Sequence, residues 1–161
     1  QESRGGQSDF HALTAGPLSV TGFDTTLRTT TDQKTWTDRD IPEPRTLAAS
    51  PGSGQLVATT AAGMLSSTDD GTSWAALTPP APALLAAWAN ENTLVIATTT
   101  GQLATSTDQG RTWALNPTML GVADAMSAST TASGQVEILL VVDHKVLSTT
   151  DGGATTAVLV G

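Results

Sequence analysis

Four aspartates recur in one setting along the chain. The stretch "STDDGTSW" (67–74) returns as "STDQGRTW" (106–113), one residue short as "TTDQKTW" (30–36), and without its aromatic as "TTDGGATT" (149–156). The marks are Asp32, Asp69, Asp108 and Asp151, spaced by 37, 39 and 43 residues. Such a carboxylate can do two kinds of work. Metal ligation or acid/base chemistry needs several of them converging on one point. Alternatively, one short carboxylate accepts backbone N–H bonds from the loop that follows and holds a turn shut. Each of these aspartates stands alone in its own unit, which favours the turn. On that reading Gly71, Gly110 and Gly153 supply the positive φ of the turn. Trp36, Trp74 and Trp113 tuck their rings beside the hairpin and into the gap between sheets, and Thr156 replaces the fourth Trp.

The remaining reactive groups are scattered. Asp9, Asp24, Glu43, Asp124 and Asp143 could face one end of the molecule, but hydrolysis by two carboxylates depends on their separation, which sequence does not supply. His11, in "DFHAL", alternates with Phe10 and Ala12 on an expected inner strand, where it either lines a channel or packs as a hydrogen-bonded imidazole. His144, in "VDHKV", belongs at an exposed hairpin tip. The chain has no Cys and two His, so a metal site would lean on carboxylates; neither a metal nor a cofactor is expected.

Strands must position these groups. Each unit carries a short apolar strand ("FHAL" 10–13, "TLAAS" 46–50, "LLAAW" 84–88, "AMSAS" 125–129) and then a turn rich in Gly, Asn or Ser. A more buried strand follows ("LSV" 18–20, "LVATT" 56–60, "LVIATT" 94–99, "ILLVV" 138–142). A third ("TLRTT", "GMLSS", "GQLAT", "KVLST") runs into the repeated stretch, and a fourth holds the Trp. Links such as "DIPEPR" and "TPPAPA" end pairing with Pro. Periods near forty suit propeller blades or helical solenoids, and no segment holds apolar residues at helical spacing over three turns. The fold expected is all-β, a β-propeller of four-stranded antiparallel blades. One domain over 1–161 would hold four blades, at about 7–40, 41–79, 80–117 and 118–161. In propellers the loops entering the first strand and those joining the second to the third build the binding end. Here they bring Asp9, His11, Asp24, Arg45, Asp124, Asp143 and His144, with the repeated hairpins at the opposite end.

Composition narrows the partners. The 161 residues carry a formal net charge of −8 with only 14% charged, and Lys34 and Lys145 are the only lysines. That balance repels phosphate backbones, so no nucleic acid is expected. No apolar run has the length of a membrane span, and "QESRGGQSDF" has no apolar core of an export signal. The absence of Cys leaves the redox compartment open.

The repeated stretch resembles the Asp-box, or BNR repeat, of sialidases and other β-propellers. Residues 67–74 and 106–113 match in full; the other two are degenerate. In that family the boxes lie on outer hairpins away from the ligand end. This implies a structural role for Asp32, Trp36, Asp69, Gly71, Trp74, Asp108, Gly110, Trp113, Asp151 and Gly153. "SDFHAL" (8–13) with "GFDTTLRTTTDQKTWT" (22–37) is similar to the second half of bacterial sialidase-like propellers labelled glycosylhydrolases, akin to the photosystem II assembly propeller. About three blades precede this point in that family, which implies that the chain is part of a longer propeller.

Sialidase chemistry needs an arginine cluster and a Tyr nucleophile with a Glu partner. The chain has no Tyr, and Arg4, Arg28, Arg39, Arg45 and Arg111 share no repeated blade position. The expectation is therefore a non-catalytic scaffold or binding module of the bacterial cell envelope, secreted or extracytoplasmic, that binds a protein partner or assists assembly. The alternative is a sialidase-like glycoside hydrolase completed by missing blades or by a second chain. Four blades leave apolar faces open. Missing propeller blades are the first expectation for what covers them, and a homodimer with two-fold symmetry is the second.

Overall fold

The computed structural model describes residues 9–161; Arg4 and the expected start of the first blade at residue 7 lie outside the described residues. Every element is a strand. The first sheet contains β1 (Ala12–Ala15), β2 (Val20–Phe23), β3 (Leu27–Thr30) and β4 (Thr37–Arg39); the second contains β5 (Pro44–Ala49), β6 (Leu56–Thr60), β7 (Gly63–Ser67) and β8 (Ala75–Leu77). The third holds β9 (Ala83–Trp88), β10 (Leu94–Thr98), β11 (Leu103–Ser106) and β12 (Ala114–Leu115). The fourth holds β13 (Ala125–Thr130), β14 (Val136–Val142), β15 (Lys145–Thr149) and β16 (Ala157–Val160). In each sheet the strands lie in chain order. The chain divides into two compact units, one ending at Ala76 and the other running from Leu77 to Gly161.

Composition explains the strand order. β6 and β10 are the second strands of their sheets and are buried at every residue, Leu56–Thr60 and Leu94–Thr98. Their runs of Leu, Val, Ile, Ala and Thr suit a strand covered on both faces. The fourth strands β4, β8 and β12 are two or three residues long, a short edge that offers little backbone for unwanted pairing. Strand β16 differs: its four residues, Ala157–Val160, are apolar and all exposed.

Sequence and structure agree on β6, β7 and β15 to the residue, and differ in the first sheet. "FHAL" was expected to be the inner strand, yet β1 begins at Ala12, and β2 begins at Val20. Phe10 is not a strand residue. Its ring lies where a side chain on Gly22 would be, with Cδ1 2.7 Å from the position of a Cβ there, and its centroid is 5.2 Å from that of Trp36. A bulky residue before the strand thus fills the gap left by a glycine within β2. Each expected fourth-strand Trp also precedes its strand: Trp36, Trp74 and Trp113 stand one residue ahead of β4, β8 and β12.

In the first unit, β1 and β5 run side by side, and the Ala49 amide donates to Thr14 Oγ1 at 2.9 Å. In the second unit, Leu85, Val95, Ala97 and Leu103 of the third sheet meet Ile138, Leu140 and Val142 of the fourth in one core, joined by Ala123.

Candidate functional site

The repeated hairpins show where their carboxylates are spent. Asp69 Oδ1 accepts from Ser67 Oγ at 2.8 Å and from the Ser73 amide at 2.8 Å, while Oδ2 accepts from Ser73 Oγ at 2.6 Å. Ser67 Oγ in turn accepts from the buried Gly71 amide at 2.9 Å. Asp108 repeats this with Ser106, Thr112 and the Arg111 amide, and Asp151 with Thr149 and Thr155. Asp32 accepts from Thr30 Oγ1 and from the Lys34 and Thr35 amides. Hydrogen bonds to an ionised carboxylate favour that form. The Ser73 hydroxyl and amide, then Ser67, lower Asp69 to about 2, and the Thr112 hydroxyl and amide, then Ser106, lower Asp108 to about 2. Asp32 and Asp151 are held well below the usual carboxylate range, chiefly by the backbone amides of Thr35 and Thr155.

The aromatic partners close the same loops. Trp74 Nε1 donates to Gly71 O and Trp113 Nε1 to Gly110 O, both at 3.1 Å. Each ring therefore folds back over its own turn and is half-buried. The residue after each aspartate is left-handed: Gln33 (φ 59), Asp70 (φ 55), Gln109 (φ 64) and Gly152 (φ 69). Only the fourth hairpin places glycine there. Gln33→Gly should therefore stabilise the protein by about 0.5–1 kcal/mol, the relief of left-handed strain exceeding the added chain entropy; a raised urea midpoint at unchanged m-value would show it.

The same hairpins fasten neighbouring sheets. A Cβ placed on Gly71 lies 3.3 Å from Leu27 Cδ2, and one on Gly153 lies 3.1 Å from Leu103 Cδ1. Arg39 Nε donates to Asp70 O at 3.3 Å, and Ser19 Oγ to Asp70 Oδ1 at 2.7 Å. The left-handed residues Asp70 and Gly71 thus clasp the first sheet, a role that sequence reading missed. The recurrent Leu five residues before Asp32 and Asp108 was the available signal.

The loops at the other end hold the expected binding residues. In the first unit, Asp9 and His11 are exposed and precede β1, and the His11 amide donates to Phe23 O at 2.8 Å. His11 is thus outside the strand on which it was expected, because the strand starts one residue later. That bond sets it beside the β2–β3 turn, which contains Asp24. Asp24 accepts from the Thr25 and Thr26 amides and from Arg28, whose Nε also reaches Asp38 Oδ1 at 2.9 Å. Arg45 is exposed near the start of β5, where the pairing with β6 shifts register. Glu43 is exposed before β5.

In the second unit, the Asp124 amide donates to Val141 O at 2.8 Å, and Asp143 and His144 form the β14–β15 turn. Both turn residues are left-handed, φ 48 and 63. Asp124, Asp143 and His144 therefore share one end of the fourth sheet, all exposed. Among the described residues no three His, Cys, Asp or Glu side chains gather as a metal-binding group, and no helix is long and apolar enough to cross a membrane.

Four-stranded antiparallel sheets, each closed by a third-to-fourth-strand hairpin of one design, define a β-propeller architecture. The chain is similar to the GH74 enzyme of Niastella koreensis, with a TM-score of 0.70 at 16% identity over 94% of this chain and 30% of that one. It is also similar to YCF48 from Cyanidioschyzon merolae (TM-score 0.63, 15% identity, 96% of this chain and 56% of that one). A structure of YCF48 bound to D1 peptide gives a TM-score of 0.60 at 20% identity over 96% of this chain and 55% of that one. At these identities the likeness shows the fold. The chain spans 30% to 56% of the length of these three structures. No protein-family model matches the sequence, and no curated protein sequence matches it.

Proposed function

We propose that the chain is a non-catalytic propeller module, of the Asp-box kind, that binds a protein or peptide partner in a bacterial cell envelope or outside the cell. The observation that carries this reading is the local commitment of its four recurrent carboxylates. Asp32, Asp69, Asp108 and Asp151 all spend their oxygens on their own hairpins, and a carboxylate held ionised by several donors is a poor general acid. Support for a peptide partner comes from the similar YCF48 fold seen with D1 peptide bound.

The loops offered to such a partner are those bearing Asp9, His11, Asp24 and Arg45 in the first unit and Asp124, Asp143 and His144 in the second. Exposed Arg45 would meet a carboxylate or peptide carbonyl.

A second reading is favoured by the similarity to a GH74 enzyme, and it is glycoside hydrolysis using the acidic loop residues. One experiment separates the two. The chain and its Arg45→Ala and Asp143→Asn variants are assayed against fluorogenic glycosides, sialosides included, and immobilised to capture partners from a bacterial cell-envelope extract. The expected result is no turnover and a captured protein whose retention falls about tenfold with Arg45→Ala, the loss of one charged contact. Turnover that disappears with Asp143→Asn would replace binding by catalysis.

A further inference from the structure

The segment that links the third sheet to the fourth turns apolar side chains outward. In "MLGVAD" (119–124), Leu120 packs against the core of the second unit and Ala123 belongs to it, whereas Met119, Val122 and Asp124 are exposed. Met119 is 64% exposed and Val122 53%. No large apolar residue is exposed in the links at 40–43 and 78–82. The segment runs between two sheets that are both in place, β12 on one side and β13 on the other.

Backbone contacts fix its course. The Asn116 amide donates to Leu103 O and the Leu120 amide to Gly101 O, both at 2.8 Å, and Asn116 O accepts from Gln102 Nε2 at 3.2 Å. A Cβ on Gly101 would stand 2.7 Å from the Gly121 carbonyl carbon, and one on Gly121 would stand 2.6 Å from Val142 Cγ1. The segment is therefore clamped between the β10–β11 turn and the end of β14. A partner meets Met119 and Val122 already placed, which lowers the ordering cost of binding.

Carboxylates flank the two apolar groups. The Asp124 amide is bonded to Val141 O, and Asp143 Oδ2 lies 4.0 Å from the Cβ position of Gly121, the neighbour of Val122. Both aspartates are exposed, and among the described residues neither is in an ion pair. The second unit holds Arg111 and Lys145 against six acidic residues. Arg111 belongs to the β11–β12 hairpin at the other end of the third sheet, and the Lys145 stem lies along Gly161, with Cγ 3.2 Å from the Cβ position there.

This charge selects the occupant. A second copy brings a further net charge of −8, and two-fold pairing would set the same aspartates against each other. Anionic surfaces are repelled as well. An exposed apolar pair with an acidic rim suits a cationic and apolar segment. We infer that Met119 and Val122, with Asp124 and Asp143 beside them, form a docking patch for a peptide segment of another protein that carries a lysine or arginine next to a large apolar residue. The inference rests on the reading of the chain as a peptide-binding module and names what its second unit takes.

The test selects a random peptide library displayed on phage against the immobilised full chain. Recovered peptides are then titrated by fluorescence anisotropy against the chain and three variants, Met119→Ser with Val122→Ser, Asp124→Asn with Asp143→Asn, and Leu18→Ser. Expected are peptides that pair Lys or Arg with Leu, Ile, Phe or Met. Their affinity should fall about tenfold in the first variant. In the second it should fall about fivefold and lose most of its dependence on NaCl. Leu18, 79% exposed in the first unit, is the control, and its variant should bind like the parent. Peptides that lack a cation, or that bind Met119→Ser with Val122→Ser as tightly as the parent, would overturn the patch and leave peptide binding standing. A selection that enriches no peptide would overturn both. A chain of twice 16.4 kDa by light scattering that Met119→Ser with Val122→Ser returns to a single mass would also overturn the patch, since its occupant would be a second copy.

Discussion

Gly101→Ala is expected to cost on the order of 3 kcal/mol of stability. Gly101 has φ +85, and a Cβ there would stand 2.7 Å from the carbonyl carbon of Gly121 and 2.9 Å from its oxygen. The obstacle is backbone, which cannot rotate away as a side chain can. Gly121 is itself confined, at φ +99, with its own Cβ position 2.6 Å from Val142 Cγ1, and the Leu120 amide donates to Gly101 O at 2.8 Å. Left-handed strain contributes about 1–2 kcal/mol, and forcing apart packed backbone adds about 1–3 kcal/mol. Gly134→Ala separates the two effects, because Gly134 has φ +83 but no atom within 4 Å of its Cβ position. It should lose the strain alone. Urea denaturation of both variants gives the comparison, and equal losses would show that the segment carrying Gly121 yields freely.

Acid should destabilise the protein through its hairpins. Asp69 and Asp108 are lowered to about 2, and Asp32 and Asp151 are lowered as well. In the unfolded chain these carboxyls return to the ordinary value of 3.8. A depressed folded pKa means that the unfolded state takes up protons first as pH falls. The stabilisation is therefore present in full well above 3.8 and is lost progressively down through about 2. Asp32, Asp69 and Asp151 are exposed and Asp108 is half-buried, and for Asp69 and Asp108 the effect comes from the donors of Ser67, Ser73, Ser106 and Thr112 rather than from distant charge. A lower Tm at pH 2.5 than at pH 6 is expected. Asp69→Asn with Asp108→Asn should start lower at pH 6 and show a flatter profile. Parallel profiles for parent and double variant would assign the acid sensitivity to other carboxyls.

The hairpins were legible in sequence because their chemistry is local. Ser67, Asp69, Gly71, Ser73 and Trp74 bond to one another within eight residues, so spacing alone predicts the partners. Strands β6, β7 and β15 were legible for a similar reason, as each apolar run ends at turn residues. The start of β1 was not. Phe10 reads as a strand residue until Gly22 is seen to leave the space that its ring fills, a contact between residues twelve positions apart. The loop residues were harder still. That His11 sits beside the turn of Asp24 follows from its bond to Phe23, and that Asp124 nears Asp143 follows from its bond to Val141; neither pairing has a sequence signature.

The bonds of each aspartate carry a further consequence. Asp69 reaches no farther than Ser67 on one side and Ser73 on the other, and Asp108 and Asp151 keep within the same span. Closing so short a loop sacrifices little chain entropy, and hairpins of this size form in roughly 1–10 μs. The four turns can therefore close before distant strands meet, fixing which third strand pairs with which fourth. Among the sixteen strands of the described residues, many of them similar in apolar composition, mispairing is a hazard of the search. The repeated hairpin acts as a set of local punctuation marks that keeps the order of pairing equal to the order of synthesis.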